Sequence, residues 1–103
     1  MNNRIIRLAI KKARQSSCRY KISALGFNRK GDFIGSAINA KRLPKHGCSL
    51  HAEIALIRKY GKRLSVIIIC RTNKTGTSNL PIHPCPTCSS MANRYSITIK
   101  TVR

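Results

Sequence analysis

Hydrophobic residues recur at helical spacing over the first part of the chain, which predicts a helix over residues 4–17. One face of this helix would carry small or apolar side chains, namely Ile6, Ala9, Ile10, Ala13 and Ser17. The pattern then becomes typical of strands over residues 20–27 and 32–39. The turn sequence at residues 28–31 separates these two segments, so the helix is followed by a predicted β-hairpin.

The second half of the chain alternates between helix and strand patterns. Residues 49–60 are predicted to form a helix that stops at Gly61, and because residues 54–57 are apolar nearly all round, this helix is expected to be central and buried. The apolar run 66–70 is typical of a strand covered on both faces, as in a parallel sheet. A polar loop over 72–84, a candidate lid over the substrate, precedes a helix over 85–94 and a strand over 96–102. The order α-β-β-α-β-α-β predicts an α/β fold of three layers, α/β/α.

Two short motifs place metal-binding residue types at the starts of the two later helices. In the first motif, Ser49 is positioned to cap a helix, with His51 and Glu53 in its first turn. In the second, Cys85 and Cys88 are three residues apart, so a helix beginning near Cys85 would present both sulfurs on one face. One imidazole and two thiolates would hold Zn²⁺ and leave its fourth position for water. Glu53 would then be the proton shuttle.

The charge balance of the chain is extreme. Lysine and arginine total 21 against two acidic residues, Asp32 and Glu53, which gives a formal net charge of +19. Such a balance indicates an anionic partner, which we expect to be single-stranded DNA or RNA. Asp32 follows the predicted turn, so Glu53 is the acidic residue for which chemistry is expected. At 103 residues the chain is predicted to be a single domain, residues 1–103.

Two groups of basic residues are candidates for contacting phosphates. The first is a stripe on the N-terminal helix, formed by Arg4, Arg7, Lys11 and Arg14. The second belongs to the loop before the motif helix, formed by Lys41, Arg42 and Lys45. Such a stripe is ordinarily interpreted as a charged face exposed to solvent. Because the net charge of this chain is so high, contact with phosphates is an equally well supported interpretation.

The cysteines and the N-terminal sequence bear on the cellular setting. The five cysteines are an odd number, and no signal-peptide or membrane-spanning pattern is present. These features predict an intracellular, reducing environment without membrane association, where C-x-x-C is a metal-binding pair. Cys18, Cys48 and Cys70 are then expected to be ordinary small apolar residues.

The sequences His51–Ala52–Glu53 and Pro84–Cys85–Pro86–Thr87–Cys88 resemble the signature of the zinc-dependent cytidine and deoxycytidylate deaminase superfamily. The order of elements supports the resemblance over nearly the whole chain. It implies that His51, Cys85 and Cys88 bind zinc and that Glu53 shuttles protons. It also implies that Asn39, near the end of the second strand, contacts the sugar or the base, although a turn role for this asparagine is nearly as well supported.

The chain departs from this superfamily at two points. Relatives usually continue beyond the fourth strand, so the chain is expected to be a minimal core or a fragment. His83 stands where relatives carry Glu or Ser, and it could contact the substrate, occupy the open position on zinc or face solvent.

Three functions remain open from the sequence. The first is a deaminase that converts cytosine to uracil in single-stranded nucleic acid, and the second is a deaminase of a free nucleotide such as deoxycytidylate. The third is a non-catalytic nucleic-acid-binding module with a structural zinc, completed by Cys48 or His83, in which Glu53 would have no role.

Overall fold

A computed structural model describes residues 3–18, 21–39, 51–73, 75, 79–80, 82 and 86–102. The helices are α1 (Asn3–Ala13), α2 (Ala52–Tyr60) and α3 (Pro86–Arg94), and a short 3-10 turn, Gly61–Arg63, follows α2. The strands are β1 (Lys21–Phe27), β2 (Phe33–Ile38), β3 (Val66–Thr72), β4 (Asn79–Leu80) and β5 (Thr98–Thr101). The predicted order of helices and main strands is confirmed, with the two-residue β4 as an addition inside the predicted polar loop.

The sheet is mixed, not parallel as the apolar run of β3 suggested. β1 pairs antiparallel with both β2 and β3, with Ala24 opposite Ala37 on one side and Ile69 on the other. β3 pairs in parallel with β5 and, over its last two residues, antiparallel with β4. The apolar run reflects burial on both faces, which a central strand of a mixed sheet shares with a strand of a parallel sheet.

Helices cover the two faces of the sheet, which confirms the three-layer α/β/α arrangement. Ile67 and Ile69 of β3 pack in a core with Leu56 of α2 and Ala92 of α3. The alternate β3 residues Ile68 and Cys70 pack in a second core with Ala9 of α1 and Val102. Because side chains of a strand alternate between faces, α1 lies on the opposite side of the sheet from α2 and α3.

The N-terminal helix is shorter than predicted and its apolar face is broader. It ends at Ala13, and Ile5 and Leu8 join Ile6 and Ile10 against the α1-side core. Ser17 is exposed, so its predicted place on the apolar face is wrong, whereas Ser16 is 2% exposed. The chain leaves the helix because the Ser16 hydroxyl contacts Asn39 across the fold, which helical spacing cannot reveal.

The predicted hairpin is confirmed, and its glycines allow close packing. Gly31 has φ 86° in the turn between β1 and β2, a conformation that favours glycine. The Asp32 backbone N–H donates to Asn28 Oδ1 at 2.9 Å, so this exposed acid belongs to the turn. Tyr60 of α2 lies directly against Gly35 of β2, where a Cβ atom would overlap its ring. This contact seats α2 on the β2 side of the sheet.

The direction of each element defines two ends of the molecule. α2 and α3 begin near the end where β2 and β3 finish, and they run towards the end where β3 and β5 begin. The turn between β1 and β2 lies at this second end, because Phe27 is paired with Val66. The helix starts, which carry the two sequence motifs, therefore share the first end. Among the described residues, no helix is long and apolar enough to cross a membrane.

Candidate metal centre

His51 occupies the N-cap of α2. Its backbone is extended, with φ −78° and ψ 141°, and its carbonyl accepts the first helical hydrogen bond from the Ala55 N–H at 3.1 Å. Its side chain makes no capping hydrogen bond. The prediction that Ser49 caps this helix is wrong, because the helix begins at Ala52 and the N-cap position belongs to His51. Ser49 itself lies outside the described residues.

Cys88 brings its sulfur to the same point from α3. This side chain is fully buried, and its Sγ lies 3.2 Å from Nδ1 of His51. A tetrahedral ion with ordinary zinc–nitrogen and zinc–sulfur bonds separates two such donor atoms by about 3.6 Å. The observed spacing is close to that value, so the predicted juxtaposition of a histidine and a cysteine from separate helices is confirmed.

Glu53 completes the group of donor atoms. It lies in the first turn of α2, and its carboxylate, the His51 imidazole and the Cys88 sulfur offer ligand atoms that all lie within 4.8 Å of one another. The Glu53 side chain is only 5% exposed. A buried carboxylate is costly unless a cation or hydrogen-bond donors stabilise it, and a metal ion at this point would supply such a cation.

The residues present fit a zinc ion. A nitrogen donor and a thiolate are ligands that zinc prefers, and a nearby carboxylate that need not bind directly suits a catalytic site. The predicted third ligand, Cys85, and the candidate substrate residue His83 lie outside the described residues. The same holds for the loop residues Lys41, Arg42 and Lys45, whose predicted roles stay predictions.

Asn39 has well-defined internal partners. It follows β2 at the same end of the sheet as the metal centre, and it is 6% exposed. Its Oδ1 atom accepts hydrogen bonds from the Ser16 hydroxyl at 2.7 Å and from the Ile22 backbone N–H at 3.0 Å. These bonds give Asn39 a structural role in joining the end of α1 to β1 and β2. Its predicted contact with substrate stays a prediction.

The basic stripe of α1 is exposed and lies on the other face of the sheet from the metal centre. The side chains of Arg4, Arg7, Lys11 and Arg14 all face solvent, as predicted. Because α1 covers the opposite side of the sheet from α2 and α3, the sheet separates this stripe from His51. A nucleic acid strand that contacted both would have to pass around an edge or an end of the sheet.

The remaining described cysteines behave differently from one another. Cys70 is a buried thiol of β3, and desolvation by burial raises its pKa to about 11, as expected of an apolar structural cysteine. Cys18 is buried and disulfide-bonded, so the prediction that it is an ordinary apolar residue is wrong. The spacing of cysteines along a sequence does not reveal which sulfurs the fold brings together.

Solved structures share this fold. The cytidine deaminase from Mycobacterium leprae superposes with a TM-score of 0.65 and 18% sequence identity, covering 98% of this chain and 88% of that one. The cytidine deaminase from Mycobacterium tuberculosis gives a TM-score of 0.59 and 16% identity, covering 100% and 85%. The dCMP deaminase from the cyanophage S-TIM5 gives a TM-score of 0.53 and 17% identity, covering 99% and 100%.

These likenesses concern the fold. No protein-family model and no curated protein sequence matches the chain. The chain has the fold of the cytidine deaminases, and it carries a grouping of histidine, glutamate and cysteine that suits a metal site within that fold. The resemblance inferred from the two motifs is thereby confirmed for the fold.

Proposed function

We propose that this protein is a zinc-dependent hydrolytic deaminase that converts cytosine to uracil in single-stranded nucleic acid. The observation that carries the proposal is the convergence of the His51, Glu53 and Cys88 ligand atoms within 4.8 Å. This convergence occurs where the starts of α2 and α3 meet, in a fold shared with cytidine and dCMP deaminases. Cytosine is the base named by those relatives.

The proposed metal ligands are His51, Cys88 and Cys85, with the last assigned from its place in the P-C-x-x-C motif. When bound, zinc would supply a water molecule acidified to a pKa near ~7. Nδ1 of His51, at the start of α2, and Sγ of Cys88, in α3, lie 3.2 Å apart and would hold the ion between the two helices. A short helix-to-helix distance is therefore needed for activity, and the packing of α2 against α3 maintains it.

Glu53 is the proposed proton carrier. Its carboxylate would accept a proton from the attacking water and deliver it to the ring nitrogen of cytosine, while the new C–O bond forms. It would then take the second proton from the new hydroxyl group and transfer it to the amino group, so that the C=O bond of uracil forms as the C–N bond breaks and ammonia leaves. Burial of Glu53 keeps bulk water from this carboxylate, which suits a group that must hand the same proton on.

The net charge of +19 supports a polymeric substrate. Phosphates bound by lysine and arginine release counterions, which favours binding to a polyanion. A second candidate substrate is a free nucleoside or nucleotide. The names of the structural relatives, cytidine deaminase and dCMP deaminase, favour that candidate. A mononucleotide does not require so large an excess of positive charge.

A deamination assay tests the two candidates together. The zinc-loaded protein is given a cytosine-containing single-stranded oligonucleotide or free deoxycytidylate at equal concentration, and uracil formation is measured. Conversion of the oligonucleotide alone is the expected result. Conversion of deoxycytidylate alone would reject the proposal of a polymeric substrate and support a deaminase of free nucleotides.

The matched control is the Glu53→Ala variant, which should retain zinc and fold while losing deamination. Activity that survives this substitution would refute the role of Glu53. Zinc binding without conversion of any cytosine or adenine substrate would refute the deaminase and favour the structural-zinc module.

A further inference from the structure

The end of the molecule opposite the metal centre carries a cluster of basic and aromatic residues. α2 begins beside the centre and runs away from it for nine residues, a length of about 13 Å. α3 runs in the same direction, from Pro86 to Arg94. The segments that follow these helices therefore lie together at the far end, next to the turn between β1 and β2. None of them takes part in the candidate site.

Four exposed cations and an exposed aromatic ring meet there. We call this surface the basic end and define it by Lys59, Lys62, Arg63, Arg94 and Tyr95, all of which are exposed. Lys59 lies in the last turn of α2, Lys62 and Arg63 belong to the 3-10 turn, Arg94 ends α3, and Tyr95 follows it. The two helix ends are in contact, because a Cβ atom added to Gly61 would lie 3.7 Å from the Tyr95 ring.

The aromatic residues of this region are unusually accessible. Among the described residues, the large hydrophobic side chains classed as exposed are Phe33, at 47%, and Tyr95, at 39%. Both lie at this end, one at the start of β2 and the other after α3. Tyr60, at the end of α2, has Lys59 Nζ 5.4 Å and the Arg63 guanidinium 5.5 Å from its ring centroid. Cations and aromatic rings thus occur together in this region.

Ordinary structural roles explain only part of this arrangement. Lys59 and Arg94 suit the ends of their helices, where the macrodipole favours positive charge. Tyr60 is held in place by its packing against Gly35. Neither explanation applies to Lys62 and Arg63, which lie beyond α2, or to the exposed ring of Tyr95. Of the two acidic residues of the chain, Glu53 belongs to the metal centre and Asp32 to the turn between β1 and β2.

We propose that the basic end binds single-stranded nucleic acid, at a site separate from the metal centre. Lysine and arginine would contact phosphates, and Tyr95 would offer a face on which an unpaired base stacks. Base stacking on aromatic residues combined with a positively charged track is the usual way in which proteins bind single strands without reading their sequence. A duplex would leave Tyr95 unused, because its bases are already stacked and paired.

Anisotropy of a labelled oligothymidine tests the proposal over a series of salt concentrations. Oligothymidine contains no cytosine, so binding is measured without any reaction at the metal centre. Tyr95→Ser should weaken binding about fivefold or more, the lower bound for loss of one stacked base, and Tyr95→Phe should bind like the unmodified protein. Lys62→Gln with Arg63→Gln should lower the slope of log affinity against log salt by about 1.4, the value for two phosphate contacts on a single strand.

The matched charge control is Lys12→Gln with Lys100→Gln, which removes the same charge from α1 and β5. This control should leave the slope nearly unchanged. The proposal is overturned if the control lowers affinity as much as the Lys62 and Arg63 substitutions, or if Tyr95→Ser binds like Tyr95→Phe. It is also overturned if duplex competes as well as single strand.

The outcome is independent of the proposed deaminase. If the basic end binds single strands but no substrate is deaminated, the proposed deaminase function is rejected and the proposed binding surface is retained. If a Tyr95→Ser variant deaminates an oligonucleotide and binds it with undiminished affinity, the basic end is rejected as a binding site and the proposed deaminase is retained.

Discussion

At the scale of single residues, the buried side chains of Cys70 and Cys88 have different surroundings. Both lie in the core, on opposite sides of the sheet. Cys88 faces His51 at 3.2 Å, whereas burial raises the pKa of Cys70 to about 11. A metal ligand must be a thiolate, so the environment of Cys70 suits a permanent thiol and that of Cys88 suits a ligand.

If the proposed zinc site is right, the ion would tie α2 to α3, so we expect Cys88→Ala to lose bound zinc and thermal stability. Cys70→Ala is the matched control, and it should keep its zinc and lose only the modest stability of a shallow cavity, about 1 kcal/mol. Metal content by atomic absorption and thermal unfolding by circular dichroism would measure both effects. Equal zinc content in the two variants would refute the ligand assignment.

Cys70 also predicts how stability depends on alkaline pH. The folded protein holds the thiol proton up to a pKa of about 11, whereas the ordinary value is 9.0. As the pH rises past 9.0, the unfolded chain loses this proton first, so the unfolded state is favoured and stability falls until about pH 11. A shift of this size corresponds to about 2–3 kcal/mol at most.

Cys70→Ala should therefore lose less stability than the unmodified protein between pH 8 and pH 11, a window around the two values of 9.0 and about 11. Urea unfolding at each pH would measure the free energy of unfolding of both proteins. Lysines titrate equally in both, so their contribution cancels in the difference between the two values. Parallel curves would show that Cys70 ionises in the folded state as readily as in the unfolded chain.

At the scale of secondary-structure elements, the sequence predicted which helices and strands form but not how their ends are fixed. Hydrophobic periodicity correctly indicated α2 and β3, whose apolar runs are buried. It extended α1 to Ser17, although the chain turns after Ala13 so that Ser16 reaches Asn39. The sequence pattern also predicted Ser49 as the N-cap of α2, whereas the N-cap in the structure is His51. Helix ends depend on long-range contacts, which local pattern does not contain.

The Ser16 contact gives a prediction with an adjacent control. The Ser16 hydroxyl lies 2.7 Å from Asn39 Oδ1, and the Cys18 backbone N–H donates to the same hydroxyl oxygen at 3.2 Å. Ser16→Ala removes both hydrogen bonds, and with them the hydroxyl acceptor of the Cys18 N–H, while Asn39 Oδ1 keeps its bond from the Ile22 N–H. We therefore expect a loss of about 1–3 kcal/mol in the free energy of unfolding. Ser17→Ala, at an exposed position, should change stability by less than about 0.5 kcal/mol. Urea unfolding would measure the free energy of unfolding of both variants. Equal losses would show that the hydrogen bond between Ser16 and Asn39 does not stabilise this end of the fold.

At the scale of the whole molecule, the positive charge lies on several faces. The α1 stripe lies behind the sheet, and the basic end lies beyond the far ends of α2 and α3. Sequence alone indicated the stripe because its members share one helix. It did not indicate the basic end, whose residues come from separate segments joined only by folding.

This distribution separates polymer binding from the chemistry at the metal centre. Replacing Arg4, Arg7, Lys11 and Arg14 by glutamine should weaken binding to an oligonucleotide and lower the salt slope by up to about 2.8, the value for four single-strand phosphate contacts. The same variant should convert a cytosine-containing oligonucleotide at saturating concentration with an unchanged kcat, because the sheet stands between the stripe and Glu53. Anisotropy with oligothymidine gives the first quantity and a uracil assay the second. An unaltered salt slope would place the phosphate contacts elsewhere. A loss of kcat would mean that α1 supports the fold of the site itself.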